Sequence, residues 1–387
     1  MKTIAIFGDL PTASTGMAVV LDNLAQELSR WFRVIYFGRF GQEHDFAQET
    51  TILDGKYYEY IPTQGGVWDR ELVVRALKHY DDIDYIFCED DWFSGAGIVG
   101  ACNFWEKPFH FLTPIDAAPV NPLAFNSVFT HCTKLYVPNS SYKKFDGLSR
   151  VGDFLTSLGP TLKSIYLPHG VRADVFKPMK VPREDRFTFL VIGRPEERKA
   201  IGRAVLAFEK IHKHINADLY IRTDWNTQGG RLLQYYIRKK NLSVIMDQMA
   251  DVPHSEIAKV YNKADVNICP AKAGGFEMSV TEAAACGLIS LVTDWTYMNE
   301  NVVNGKTGFT IPISGLCHPQ MFDSTSPAAD RLWGNISIDA LSEKMYWCYL
   351  NRELVRSMGR YARSYVREVY DWKKIAEKLK NEILSDD

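Results

Sequence analysis

No apolar run in this 387-residue chain approaches the ~18 residues that a membrane-spanning helix requires; runs such as Phe189–Ile192 are short. After Met1 there is no basic stretch leading into an apolar core. Thr3–Phe7 has the pattern of a strand instead, so no secretion signal or transmembrane segment is expected, and the expected location is cytoplasmic. Paired cysteines are also missing. The seven cysteines (88, 102, 132, 269, 286, 317 and 348) are scattered, odd in number and contain no CxxC. That pattern indicates neither a zinc site nor a disulfide framework, and reads as free thiols in a reduced compartment. There is no basic excess: net charge is −2, with 18 Lys+Arg against 23 Asp+Glu in residues 1–185 and 27 against 24 afterwards. An acidic first half argues against a surface that grips nucleic acid or an anionic membrane. Internal repeats and low-complexity segments are absent, and the Gly8 to Gly16 loop has no GxGxxG motif.

What is present is an ordinary soluble composition, 46% apolar and 24% charged, and a length suited to two domains. Strand and helix patterns alternate from the start. Thr3–Phe7 precedes a Pro/Ser/Thr/Gly loop, Gly8 to Gly16, and a helical stretch from Met17 to Trp31. Strand patterns follow at Val34–Phe37, Tyr85–Cys88, Phe109–Thr113, Leu135–Pro138 and Ser164–Leu167. A second series runs from Phe187–Ile192 through Asp218–Arg222, Ser243–Met246, Val266–Cys269 and Leu288–Thr293, with helical stretches between them. Such βαβ series imply α/β architecture with parallel, doubly wound sheets. The expected domains are 1–178 and 186–369, with a polar linker at about 172–186 and a C-terminal helix at about 370–387 packing back on the first domain.

Chemistry concentrates at strand ends. Val266–Cys269 runs into a loop with Gly274 and Gly275, then a helix carrying Met278, Ser279 and Glu282. A strand, a glycine loop and a helix N-terminus suit a phosphate-bearing ligand, and Glu282 could accept a pair of ribose or sugar hydroxyls. Gly193, Arg194 and Lys199 follow the strand Phe187–Ile192, where two cations would stabilise a departing diphosphate. The same residues also fit a solvated basic loop. Gly16 and Met17 would offer backbone amides at the start of the first helix.

Leu167–Pro178 (LPHGVRADVFKP), Gly193-Arg194 with Lys199, the 274–287 loop and Tyr370-Asp-Trp372 occur in an order that resembles a known family. It is that of the retaining, nucleotide-sugar-dependent glycosyltransferases that include sucrose synthases, bacterial mannosyltransferases and lipopolysaccharide glucosyltransferases. The resemblance implies the GT-B fold, two Rossmann-like doubly wound domains with a cleft between them. It implies transfer of a sugar from a UDP- or GDP-sugar co-substrate to an acceptor hydroxyl of a glycan, a lipid-linked sugar or another molecule, with no metal and no other cofactor. Arg194 and Lys199 would neutralise the diphosphate, Glu282 would hold the ribose, and Gly16, Met17, Gly193, Gly274, Gly275, Phe276, Met278 and Ser279 would line the donor site.

Two departures stand out. The resembling enzymes carry a glutamate eight residues before Glu282, where this chain has Gly274; either Glu277 would supply that carboxylate from a shifted position or the donor sugar lacks the usual contact. Ile115 replaces a histidine, and Asp116 would hold a sugar hydroxyl or cap a turn. The acids of Cys88–Phe93 suit either a polyol acceptor or a solvated loop, and His110 suits packing. A nucleotide-sugar epimerase, a non-catalytic sugar-nucleotide-binding subunit and a nucleic-acid-modifying transferase remain as alternatives; the last rests on Arg238-Lys239-Lys240 alone.

Overall fold

The computed structural model describes residues 1–11, 13, 15–41, 49–53, 56–64, 73–74, 77–78, 80, 82–92, 98, 107–117, 132–138, 164–320 and 331–385, with only the backbone of 40–41, 49–64 and 297. The chain divides into two compact units. One comprises residues 1–115, 120–170 and 372–387, and the other comprises 116–119 and 171–371.

The first unit is built on β1 (Thr3–Asp9), buried along its whole length. Its apolar, branched sequence suits the centre of a parallel sheet covered on both faces. β1 pairs in parallel with β2 (Arg33–Gly41) on one side and β5 (Tyr85–Glu89) on the other. With β3 (Glu49–Leu53), β4 (Lys56–Gln64), β6 (Phe109–Leu112), β7 (Lys134–Val137) and β8 (Ser164–Tyr166), the order is β3-β4-β2-β1-β5-β6-β7-β8. Only β3 runs antiparallel to its neighbour. Neither β3 nor β4 is anticipated from the sequence, because their mixture of polar and aromatic residues lacks the continuous apolar signature of the central strands.

Helix α1 (Gly16–Leu28) follows β1 and buries Val20, Leu24 and Leu28. Its N-cap, Thr15, accepts a hydrogen bond from the Ala18 amide at 3.1 Å, so the helix begins at the end of the loop. The C-terminal helix (Trp372–Leu384) packs on α1, and its Lys378 ammonium donates to the Tyr166 carbonyl at 2.6 Å.

The second unit is a six-stranded, fully parallel sheet, ordered β11-β10-β9-β12-β13-β14. Its strands are β9 (Phe187–Ile192), β10 (Ala217–Thr223), β11 (Val244–Gln248), β12 (Val266–Cys269), β13 (Ile289–Thr293) and β14 (Gly308–Ile311). The intervening helices are α2 (Ile201–Ile211), α3 (Gln228–Lys239), α4 (His254–Tyr261) and α5 (Met278–Ala285). A small antiparallel pair, β15 (Ile313–Cys317) and β16 (Trp333–Ile336), precedes α6 (Ile338–Leu350) and α7 (Arg352–Val369); the C-terminal helix is therefore α8.

The stretch read as a linker belongs with this second unit. Val171 and Phe176 join its core, the Met179 amide bonds Asn262 Oδ1 at 2.8 Å, and Arg183 pairs with Asp265 at 2.8 Å.

Helix α7 reaches the sheet by a close glycine contact. Gly287 ends α5 with a φ of +90°, and a Cβ at Gly359 would lie 2.0 Å from the Gly287 carbonyl oxygen. Elsewhere in a helix, Gly→Ala is stabilising. Here it must push two backbones apart. Gly359→Ala is expected to destabilise the protein by ~1–3 kcal/mol in urea melts; a gain in stability would show that the helix can shift freely.

Candidate active site

The strand order of the second unit reverses between β9 and β12, and the loops leaving these neighbours open at one sheet edge, where doubly wound folds bind ligands. Four contacts lock the two loops together. The Lys272 amide donates to the Arg198 carbonyl at 2.7 Å, and the Arg198 guanidinium donates to the Ala273 carbonyl at 3.0 Å. The Lys272 ammonium bonds Glu197 at 2.8 Å. The Lys199 ammonium lies 2.8 and 2.7 Å from the two oxygens of Glu277.

Glu277 is only 5% exposed, so its charge must be met inside the protein. Arg198 contributes a second, longer contact at 3.4 Å. The carboxylate lies where a side chain at position 274 would begin: a Cβ on Gly274 would stand 2.7 Å from Glu277 Oε1. Glu277 immediately precedes α5 and makes no capping bond to it, so its side chain is committed to the cations.

The candidate residues fall around this cluster. Gly274 and Gly275 are buried, while Met278 and Ser279 are half-buried in the first turn of α5. Phe276 packs edge-on against Tyr370, with ring centres 5.8 Å apart. Gly193 leads out of β9, and a Cβ there would meet the Lys199 side chain only at ordinary contact distance. The Arg194 side chain is 55% exposed and lies 3.8 Å from Glu196.

Glu282 reaches the surface only in part, and burial pushes its carboxyl up to about 7, against the hydrogen bond that Tyr261 donates at 2.8 Å. Asp116, counted with the second unit, pairs with the buried guanidinium of Arg331. Its neighbour Ala117 packs with Ala273 and Trp333, beside the 274–277 loop. Sequence reasoning missed Arg198, Arg331 and Tyr261. Arg198 adjoins Lys199 and could have been suspected; the other two lie far away in sequence from the groups they contact.

The first unit has its own reversal point, between β1 and β5. Asp9 and Asp90, at or just after the ends of these strands, both pair with the buried Arg39: Asp9 at 2.8 Å, and Asp90 through two bonds of 2.7 and 2.9 Å. Asp9 also accepts from Thr15 Oγ1 at 2.6 Å and so holds the N-cap of α1, beside Gly16 and Met17. Burial disfavours the Arg39 charge, but Asp90 and Asp9 more than restore it.

Glu89 is buried beside them, and burial, followed by the Asp9 and Asp90 charges, pushes its carboxyl well up. His169 Nε2 stands 3.1 Å away, and burial lowers that imidazole to about 3, so the pair is neutral. Neither sequence reading of Cys88–Phe93 matches this arrangement: Glu89 and Asp90 are wholly enclosed and face Arg39 and His169, while Phe93 lies outside the described residues. Asp9 is part of the same network. His110 is buried in β6, with Nδ1 2.9 Å from the Tyr136 hydroxyl. Among the described residues, no group of three or more His, Cys, Asp or Glu is arranged to hold a metal.

Residues 174–314, all in the second unit, match the family described as Glycosyl transferases group 1. The chain carries a group 1 glycosyl transferase domain. D-inositol 3-phosphate glycosyltransferase of Paenarthrobacter aurescens is 25% identical over 155 residues, 37% of this chain and 38% of that protein. The chain thus matches well under half the length of that relative. Sucrose-phosphate synthase from Thermosynechococcus elongatus superposes with a TM-score of 0.77 at 16% identity, covering all of both chains. Anabaena HepE, solved with UDP and glucose, superposes with a TM-score of 0.72 at 12% identity over 99% of each chain. The fold is therefore GT-B, with two Rossmann-like units.

The central ion pair makes a direct prediction. Lys199→Met would leave Glu277 with only its longer Arg198 contact, at an expected cost of about 2–3 kcal/mol in denaturant melts, less than a fully enclosed pair because Lys199 is partly exposed. Adding Glu277→Gln should recover ~1 kcal/mol or more of it, a coupling a double-mutant cycle would read; simple additivity would show the two groups to be independent.

Proposed function

We propose that this chain is a retaining glycosyltransferase that moves a sugar from a nucleotide diphosphate donor to an acceptor hydroxyl. The observation that carries this reading is the Lys199–Glu277–Arg198 cluster at the edge where β9 and β12 diverge, inside the matched group 1 domain. An ammonium has three donor hydrogens, and Glu277 engages Lys199 with both oxygens, which leaves one for a phosphate oxygen. Arg194, largely exposed at the same loop, supplies a second cation. Negative charge builds on the leaving phosphate as the glycosidic bond breaks, so these cations favour the transition state over the bound donor.

Among the described residues, no two carboxylates stand as an evident pair for the two roles that hydrolases require. The reading is therefore attack from the leaving-group face. The acceptor oxygen forms the new bond at the anomeric carbon while the departing phosphate oxygen takes the acceptor's proton. Glu282 accepts the ribose hydroxyls, and Gly275 brings backbone close to the phosphates. Glu277 takes the sugar-facing role that Gly274 cannot. A UDP-sugar is the favoured donor, because HepE was solved with UDP, and GDP-sugars are the next choice. The charge at the phosphates comes from Arg194, Arg198 and Lys199, so we infer that no metal is needed. Cytoplasmic location follows from the same reading of the donor.

A panel of UDP-, GDP- and ADP-sugars, read by thermal stabilisation and donor hydrolysis, tests the reading; failure of all of them to bind would sink it. With a binding donor in hand, Lys199→Ala is expected to lower kcat by ~100-fold or more with a smaller change in KM. Turnover should persist in EDTA.

Glu282 sets a pH dependence. Its carboxyl is raised to about 7, so the free protein holds a proton there below that pH. Ribose hydroxyls donate to the ionised form, so donor affinity should rise with pH up to about 7 and level off above it, with a slope of at most ~10-fold per pH unit. Glu282→Gln should flatten this profile. A wild-type affinity independent of pH between 5.5 and 8 would remove Glu282 from the ribose.

A further inference from the structure

Behind the loop that carries Arg198 and Lys199, the second unit has a cavity of about 570 Å³ between the start of α2 and α3. Its volume lies within the range of small-molecule sites. Ile201, Val205, Leu206, Leu233 and Tyr236 supply an apolar wall, and Arg203 lies along the same lining.

Glycine holds the space open. Gly202 lies in the first turn of α2 and lines the cavity, yet a Cβ there would meet nothing within 4 Å. No positive φ and no steric contact require glycine at this position, and glycine is the poorer helix former. What its missing side chain preserves is the open volume.

The polar groups of the lining are unequally satisfied. Glu197 accepts from Lys272 at 2.8 Å and from the Gln320 amide at 3.1 Å, and Glu196 faces Arg194 at 3.8 Å. Arg203 has no ion pair among the described residues. Among the described residues its side chain makes one hydrogen bond, a 3.4 Å contact to Ser314, and its Nε is enclosed with no acceptor. The guanidinium is thus weakly bonded, and an anion in the cavity would give its terminal nitrogens charge-assisted hydrogen bonds.

We propose that this cavity binds a small amphiphile, its hydrocarbon body between α2 and α3 and its anionic head against Arg203. The site is separate from the donor site, although both share the 195–200 loop.

Octyl phosphate below its micelle concentration, titrated calorimetrically into the full chain, is the probe. It should bind at least ten-fold more tightly than either octanol or inorganic phosphate. Gly202→Trp fills the cavity and should abolish that binding while keeping the native circular dichroism; Gly202→Leu serves if the larger side chain prevents folding. Arg203→Gln should reduce octyl phosphate to the affinity of octanol. Saturating UDP should leave the titration unchanged. The proposal fails if the folded Gly202 variant binds like wild type, if inorganic phosphate matches octyl phosphate, or if UDP competes. Failure of UDP itself to bind would count against the nucleotide donor alone, since the Gly202 comparison does not depend on it.

Discussion

The second unit's site depends on one buried carboxylate being answered. Glu277 is almost wholly enclosed and carries its charge at the point where two loops meet. An enclosed carboxylate is tolerated only with cations and donors around it, and the chain supplies Lys199 through both carboxylate oxygens and Arg198 at a longer distance. That requirement orders the rest. Arg198 and Lys272 bind across the loops through backbone carbonyls, so the cations reach Glu277 from a fixed frame instead of a mobile segment. Preorganised charge is what makes such a site useful, since nothing has to be rearranged when negative charge develops.

The first unit solves a related electrostatic problem in the opposite way. Its cluster at the β1/β5 divergence has three carboxylates around one guanidinium, with Asp9 and Asp90 paired to Arg39 and Glu89 left over. Burial and the neighbouring negative charges keep Glu89 protonated, and burial keeps His169 neutral. The network is thus sealed and closes on itself, where the Lys199 cluster keeps a donor to spare. Its outlet is mechanical: Asp9 holds Thr15, and Thr15 caps α1. Charge in the interior is converted into a fixed position for the first helical turn.

The fold was legible in the sequence because parallel central strands announce themselves. Phe187–Ile192 and Val266–Cys269 are found where their apolar runs place them, and the helices between begin and end within a few residues of their patterns. The edge strand β3, its neighbour β4 and the antiparallel pair β15/β16 were not legible, since their polar residues leave no apolar run that periodicity can separate from a loop. At the site, Lys199, Glu277 and Glu282 were marked by their spacing from strands and glycines. Their partners were not. Tyr261 lies on another helix and looks like an ordinary core aromatic; Arg331 lies 215 residues from Asp116. Such pairings are long-range facts that no local pattern encodes. The acids at 89 and 90 misled for the same reason: three carboxylates in a row look solvated until Arg39 arrives from β2, two strands away.

The departure at Gly274 then has a steric explanation. In the resembling enzymes a glutamate stands at the place of Gly274, and no acid is expected at the place of Glu277. In this chain both changes occur together. The would-be Cβ at 274 falls 2.7 Å from Glu277 Oε1 and 3.1 Å from its Cγ, so the space in front of Lys199 admits a side chain from one position or the other. A side chain at 274 would displace the Glu277 carboxylate from its present contacts with Lys199. The two positions are therefore sterically coupled, and in this chain the carboxylate beside Lys199 and Arg198 comes from 277. A loss of the acid alone would have left Lys199 and Arg198 facing each other without a counter-charge. Glycine at 274 with glutamate at 277 keeps that counter-charge beside both cations.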